Sequence, residues 1–135
     1  VADFGIVGAN IFYETGCELD IVRKLEFGQC GLVIAVRKDS SVTKVEQLEG
    51  ERIATAYPNL LKKYLKQKNV NASIIEISGS VEITPALDLA DAICDLTQTG
   101  KTIRENNLRI IDVVMQSQAL LISSFNKKYD EKILL

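Results

Sequence analysis

Apolar residues come in short runs along this chain, and their spacing switches repeatedly between the period of a strand and that of a helix. Residues 4–7 form an apolar run closed by Gly8, the pattern of a buried strand ending at a tight turn. Asn10 is then placed to cap a short helix carrying Ile11 and Phe12. Residues 31–36 (GLVIAV) are rich in branched side chains and bounded by Gly28 and polar residues 38–41, which predicts a second buried strand. A polar linker follows, anchored by Val45 and Leu48. Residues 52–57 read as a third strand, and Pro58 suits the first turn of a helix whose apolar stripe is Leu60, Leu61, Tyr64 and Leu65. Lys62, Lys63, Lys66 and Lys68 fall mostly on its opposite face, as expected of a solvated helix back.

Residues 73–77 predict a fourth strand, after which Gly79-Ser80 turns the chain with Ser80 as a helix cap. A fifth strand lies within 90–96, and Thr99-Gly100-Lys101-Thr102 opens a helix through Asn106. Residues 110–122 are too interrupted by Gln116, Ser117 and Gln118 for one buried helix, so they predict one or two extended strands. A helical pattern resumes at Asn126 with Tyr129, Ile133 and Leu134. The alternation implies an α/β fold with mixed, mainly parallel sheets. The extended stretches at 31–36 and 113–122 read as crossings between two lobes with a cleft between them. Residues 1–30 and 116–135 would then form lobe I, and residues 31–115 lobe II.

The composition narrows the function. With 47% hydrophobic and 25% charged residues among 135, the chain has the make-up of a globular unit able to bury a core. Lys+Arg 16 against Asp+Glu 18 gives a formal charge of -2 with no basic run, so a nucleic-acid partner is not expected. No apolar stretch approaches the roughly 20 residues of a membrane helix. Three dispersed cysteines, Cys17, Cys30 and Cys94, suit reduced thiols in the cytoplasm. Histidine is absent, which excludes serine–histidine chemistry and argues against a zinc site. Catalysis would have to use carboxylates, backbone amides and cations. The chain opens on Val1 and runs at once into a strand, the expectation for a piece of a longer polypeptide.

The candidate chemistry lies in residues 95–102 (DLTQTGKT), where an apolar strand ends in an acid and gives way to a hydroxyl-rich turn opening a helix. Amide groups at a helix start carry partial positive charge, glycine lets an anion approach the backbone, and threonine hydroxyls add donors, so this is the outline of a phosphate cradle. A nucleotide P-loop would need glycine five residues before Gly100, where Asp95 stands. A capped turn, with Thr97 or Thr99 serving only the helix start, is the plainer alternative. Lys101 is open between phosphate contact and solvent, and Tyr57, just beyond a strand end, between pocket lining and packing. Cys94 reads as a small buried residue.

Residues 82–103 (EITPALDLADAICDLTQTGKTI) resemble the signature segment of the ATP phosphoribosyltransferases, with Glu82, Ala90, Ile93, Asp95, Leu96, Thr99, Gly100, Thr102 and Ile103 at matching positions. Blocks around GIVG at 5–8, FGQC at 27–30, RIATAYP at 52–58 and GSVE at 79–82 extend the resemblance over nearly the whole chain. Asp88 stands where the family usually has glycine, which bears on local backbone geometry; Ile103 for leucine or methionine is conservative. The resemblance implies a two-lobed architecture like the type II periplasmic binding proteins, and the transfer of phosphoribose from phosphoribosyl pyrophosphate (PRPP) to ATP, the first step of histidine biosynthesis.

It further implies that Asp95, Thr97, Gln98, Thr99, Gly100, Lys101 and Thr102 bind PRPP, with Asp95 near the ribose. Asp95 and Glu82 would serve catalysis, and Tyr57 and Glu82 would meet ATP. Mg²⁺ would neutralise the pyrophosphate, and no metal ligand is assigned to the chain itself. Glu82 could equally be a carboxylate that caps or pairs near the following turn. Homo-oligomers, with a regulatory domain or subunit, are implied too, as are pyrophosphate and ATP contacts in a segment before Val1. The chain alone is accordingly expected to bind PRPP weakly and turn over little. The competing class is a two-lobed solute- or ligand-binding module without chemistry.

Overall fold

The computed structural model describes residues 4–123, which divide into two compact units: residues 4–29 with 117–123, and residues 30–116. The predicted helix from Asn126 lies outside the described residues.

In the first unit, β1 (Phe4–Gly8) leads directly into α1 (Ala9–Glu14), and β2 (Asp20–Lys24) follows. Together with β8 (Ala119–Ser123) the strands form a three-stranded sheet in the order β1-β8-β2, both pairings antiparallel. A register shift between Ile21 and Arg23 kinks β2. Gly8, not Asn10, occupies the N-cap of α1, and no side chain caps this helix. Asn10 is instead buried: its N–H donates to Ser117 Oγ at 3.0 Å, and the Ser117 hydroxyl donates to Asn10 Oδ1 at 2.9 Å. The expected cap therefore loses to a long-range partner.

The second unit is a five-stranded sheet in the order β5-β4-β6-β3-β7. Its strands are β3 (Cys30–Arg37), β4 (Arg52–Thr55), β5 (Ser73–Glu76), β6 (Ala92–Thr97) and β7 (Leu108–Ser117). The long run 110–122 is thus split between two sheets, with Gln118 between β7 and β8. The five-stranded sheet is mixed and the three-stranded one antiparallel, so the expectation of mixed sheets holds while "mainly parallel" needs correction. β4 runs parallel to β5 and β6, while β3 runs antiparallel to β6. Parallel pairing needs a crossover element, and α2 (Pro58–Gln67) supplies one between β4 and β5.

Pro58 occupies the first turn of α2, which buries Leu61, Tyr64 and Leu65 against Leu32, Ile34, Ile53 and Cys94 while Lys62, Lys63 and Lys66 remain exposed. Val45 and Leu48 are the buried positions of a 3-10 turn, as their place in a polar linker predicts. A second cluster, including Val33, Ile93, Val81 and Ile103, fills the sheet's other side and bears α3 (Lys101–Glu105). No helix among the described residues is long and apolar enough to cross a membrane.

Candidate functional site

β6 carries buried Ala92, Ile93 and Cys94 and then turns polar at Asp95, whose carboxyl is half-buried beyond the last position paired with β4, Cys94 opposite Thr55. Burial raises the Asp95 pKa above the usual carboxylate range. The Leu96 N–H, donating to Oδ1 at 2.9 Å, works against that shift, and the charge of Glu82 adds to it. Glu82, half-buried in the 3-10 turn Val81–Ile83, is therefore brought into electrostatic reach of Asp95 although thirteen positions away in sequence. Ser80 occupies the N-cap of that turn in a left-handed conformation, without the predicted side-chain cap bond.

The loop after β6 closes tightly. The Gly100 N–H donates to Thr97 Oγ1 at 2.7 Å and the Lys101 N–H to Thr99 Oγ1 at 3.3 Å. Both threonines therefore do what the capped-turn alternative requires. The cradle is compatible with this, because a hydroxyl that accepts still has its own proton to donate. The amides of Thr102 and Ile103 also lie in the first helical turn, where an α-helix has no acceptor of its own. Gly100 is buried with φ 78°, a left-handed conformation that favours glycine, and an added Cβ would meet Arg104 Nη1 at 2.9 Å.

Gln98, Thr99, Lys101 and Thr102 are exposed. The Lys101 ammonium lies 3.9 Å from Glu105, an ion pair along the helix face. Arg104, which the sequence reading did not single out, donates from Nη1 to the Thr99 carbonyl at 3.0 Å and sets a cation at the loop. Its signal was present but weak: a basic residue four positions after the loop glycine. Tyr57 stands at the N-cap of α2, half-buried against the core, with its N–H donating to Thr55 Oγ1 at 2.9 Å.

Asp88 has φ 58°, so the position where the resemblance calls for glycine does adopt a left-handed conformation. Arg52 holds it there, donating to the Asp88 carbonyl at 3.1 Å and, more loosely, to Oδ1 at 3.4 Å. An open cavity of about 370 Å³ adjoins Asp88 and Asp91, lined also by Arg37, Asp39 and Glu51. Asp95 and residues 97–102 are not among its lining. Among the described residues, no group of three or more His, Cys, Asp or Glu is arranged to hold a metal ion.

In this α/β protein, then, a strand with a half-buried acid near its end leads into a hydroxyl-lined turn with a left-handed glycine and a nearby guanidinium, a set of donors chemically suited to an anion. The family model HisG, ATP phosphoribosyltransferase, matches residues 1–134, and the chain belongs to this family. ATP phosphoribosyltransferase of Cytophaga hutchinsonii is 48% identical over 135 residues, covering all of this chain and 47% of that protein. The corresponding protein of Bacteroides thetaiotaomicron is 43% identical over the same length, covering 48% of its own.

The chain thus spans about half the length of the curated relatives it matches. Among solved structures, the ATP phosphoribosyl transferase (HisG:HisZ) complex from Thermotoga maritima superposes with a TM-score of 0.80 at 31% identity, covering 90% of this chain and 59% of that one. The periplasmic aliphatic sulphonate binding protein SsuA from Escherichia coli matches with a TM-score of 0.65 at 17% identity, covering 90% of this chain and 47% of that one. That second likeness shows the fold alone and places the chain in the periplasmic-binding-protein-like class.

Proposed function

We propose that the protein containing this chain joins ATP to PRPP, giving phosphoribosyl-ATP and pyrophosphate, and that residues 95–102 hold the phosphoribosyl half. The observation that carries the reading is Asp95 in the last half of β6, two residues before the strand gives way at Thr97 to the Gly100 turn with its threonine hydroxyls and amides. The 5-phosphate would lie on Thr97, Gln98, Thr99, Gly100, Lys101 and Thr102, with Arg104 adding charge at the rim. The ribose would then face Asp95. Tyr57 and Glu82 are assigned to the nucleotide side, and Glu82 also to the catalytic pair with Asp95.

A ring nitrogen of adenine attacks the anomeric carbon, its lone pair forms the new C–N bond, and the C–O bond to pyrophosphate breaks with its electrons leaving on oxygen. Positive charge grows on the sugar, and fixed carboxylates at Asp95 and Glu82 stabilise it without reorganising. Negative charge grows on the pyrophosphate. Mg²⁺ carried by the PRPP substrate would supply the countercharge there. No histidine is required, because the nucleophile is a neutral aromatic nitrogen. We also assign the protein to the cytoplasm and to a homo-oligomer that works with a regulatory domain or subunit.

Mass spectrometry of the complete protein incubated with ATP, PRPP and Mg²⁺, beside a Gly100→Val, Thr102→Val variant, tests this reading. Phosphoribosyl-ATP that disappears in the folded variant supports both the reaction and the phosphate site. A folded wild type that forms no product refutes the transfer and leaves ligand binding without chemistry.

A further inference from the structure

Residues 81–91 carry Glu82 at one end and deliver the chain into β6, on which Asp95 stands. Val81 anchors the near end in the core beside Ile93. The middle closes as a Schellman turn: the Leu89 N–H donates to the Thr84 carbonyl at 3.0 Å, and the Asp88 N–H to the Pro85 carbonyl at 3.1 Å. Its left-handed residue is Asp88, which pays a conformational penalty there that glycine escapes. The turn therefore needs an outside hold.

Arg52, the first residue of β4, provides it. Besides its contacts to Asp88, its Nε donates to Asp91 Oδ2 at 3.1 Å and its Nη2 to Asp91 Oδ1 at 3.2 Å, a two-pronged grip on one carboxylate. That grip holds the Asp91 pKa below the usual carboxylate range. The backbones lock as well: the Arg52 N–H donates to Asp91 Oδ2 at 2.9 Å, and the Asp91 N–H to the Arg52 carbonyl at 2.8 Å. One side chain thus fixes both the turn and the entry to β6. From there the parallel register Ile53–Ala92, Ala54–Ile93 and Thr55–Cys94 carries the setting to Asp95.

Resting on the transfer proposed at Asp95, we propose that Arg52 is a positioning residue for that site. By gripping the left-handed turn at Asp88 and the start of β6 at Asp91, it fixes where Glu82 and Asp95 stand relative to one another. Arg52 touches neither acid, and its ion pairs are partly exposed, a setting in which such pairs contribute little to stability. Their geometry is their value. Lysine offers no planar fork and cannot hold two carboxylates and a carbonyl in this way. Asp88→Gly, by contrast, removes the penalty that makes the hold necessary.

The complete protein is compared as wild type, Arg52→Gln, Arg52→Lys, and Arg52→Gln combined with Asp88→Gly. Two quantities are read: kcat/KM for PRPP, and the Asp95 carboxyl pKa followed by ¹³C NMR. Both single substitutions are expected to lower kcat/KM about 10- to 100-fold. They are also expected to bring Asp95 down toward the usual carboxylate range, as water reaches it and Glu82 withdraws. Adding Asp88→Gly should restore most of both. A lower melting temperature with Asp95 titration and kcat/KM unchanged would make Arg52 purely structural and overturn the proposal, as would no restoration by Asp88→Gly. Where Arg52→Gln does not fold, Arg52→Lys carries the comparison. A wild type without transfer activity would refute the functional reading separately, while the Asp95 titration would still decide whether Arg52 positions that carboxylate.

Discussion

Gly100→Ala separates phosphate binding from folding. The alanine must adopt φ 78°, which costs a residue with a Cβ about 1–2 kcal/mol. The new methyl lies 2.9 Å from Arg104 Nη1, the far end of a flexible side chain, so the guanidinium moves aside and gives up its bond to the Thr99 carbonyl. An exposed bond of that kind adds about 0.5 kcal/mol. The fold should survive a total loss of about 2 kcal/mol, near a fifth of a typical domain's stability. Binding should suffer more. A hydrogen bond to a charged group contributes about 1.5–3 kcal/mol; losing one from the loop amides raises the PRPP Kd about 10- to 100-fold. Gly50→Ala is the control, because Gly50 has the same φ of 78° with nothing within 4 Å of an added Cβ. Isothermal titration with PRPP and denaturant unfolding are run on both variants of the complete protein. Gly50→Ala should lose similar stability and keep its affinity. Equal PRPP affinities in the two variants would refute the assignment of the phosphate to this loop.

Asp95→Asn should abolish transfer while raising the melting temperature at neutral pH. Burial raises the folded pKa of Asp95, so its ionised form opposes folding; the cost is absent below the unfolded value of 3.8 and grows as pH rises through the folded pKa. The gain from asparagine should therefore shrink as pH falls toward that value, and melting curves with a pH-independent gain would contradict the burial argument. Leu61→Ala empties a fully buried position on α2 and should cost about 2–5 kcal/mol in denaturant unfolding, with a loss under 1 kcal/mol refuting its place in the core.

Most of the candidate site was legible because it is nearly continuous. Asp95 and residues 97–102 fall within one strand–turn–helix passage, where residue type and spacing dictate the local conformation. Arg52 was not legible, since its partners Asp88 and Asp91 lie 36 and 39 positions away and a lone arginine at a strand start signals nothing by itself. Strand β2 was missed because Asp20, Arg23 and Lys24 break any apolar alternation, and the strand exists by pairing with β8.

The sequence by itself determined the strand at residues 31–36, which the structure extends to Cys30–Arg37, helix α2 with its proline start and lysine face, and the glycine turn beyond β6. Each follows from backbone preference and side-chain period within a few residues. Only the tertiary structure decided which strands run antiparallel, that Asn10 pairs with Ser117 instead of capping its helix, and that Glu82 lies within reach of Asp95. These depend on contacts between segments remote in sequence, where the free energy of burial and pairing, not local propensity, selects the partner.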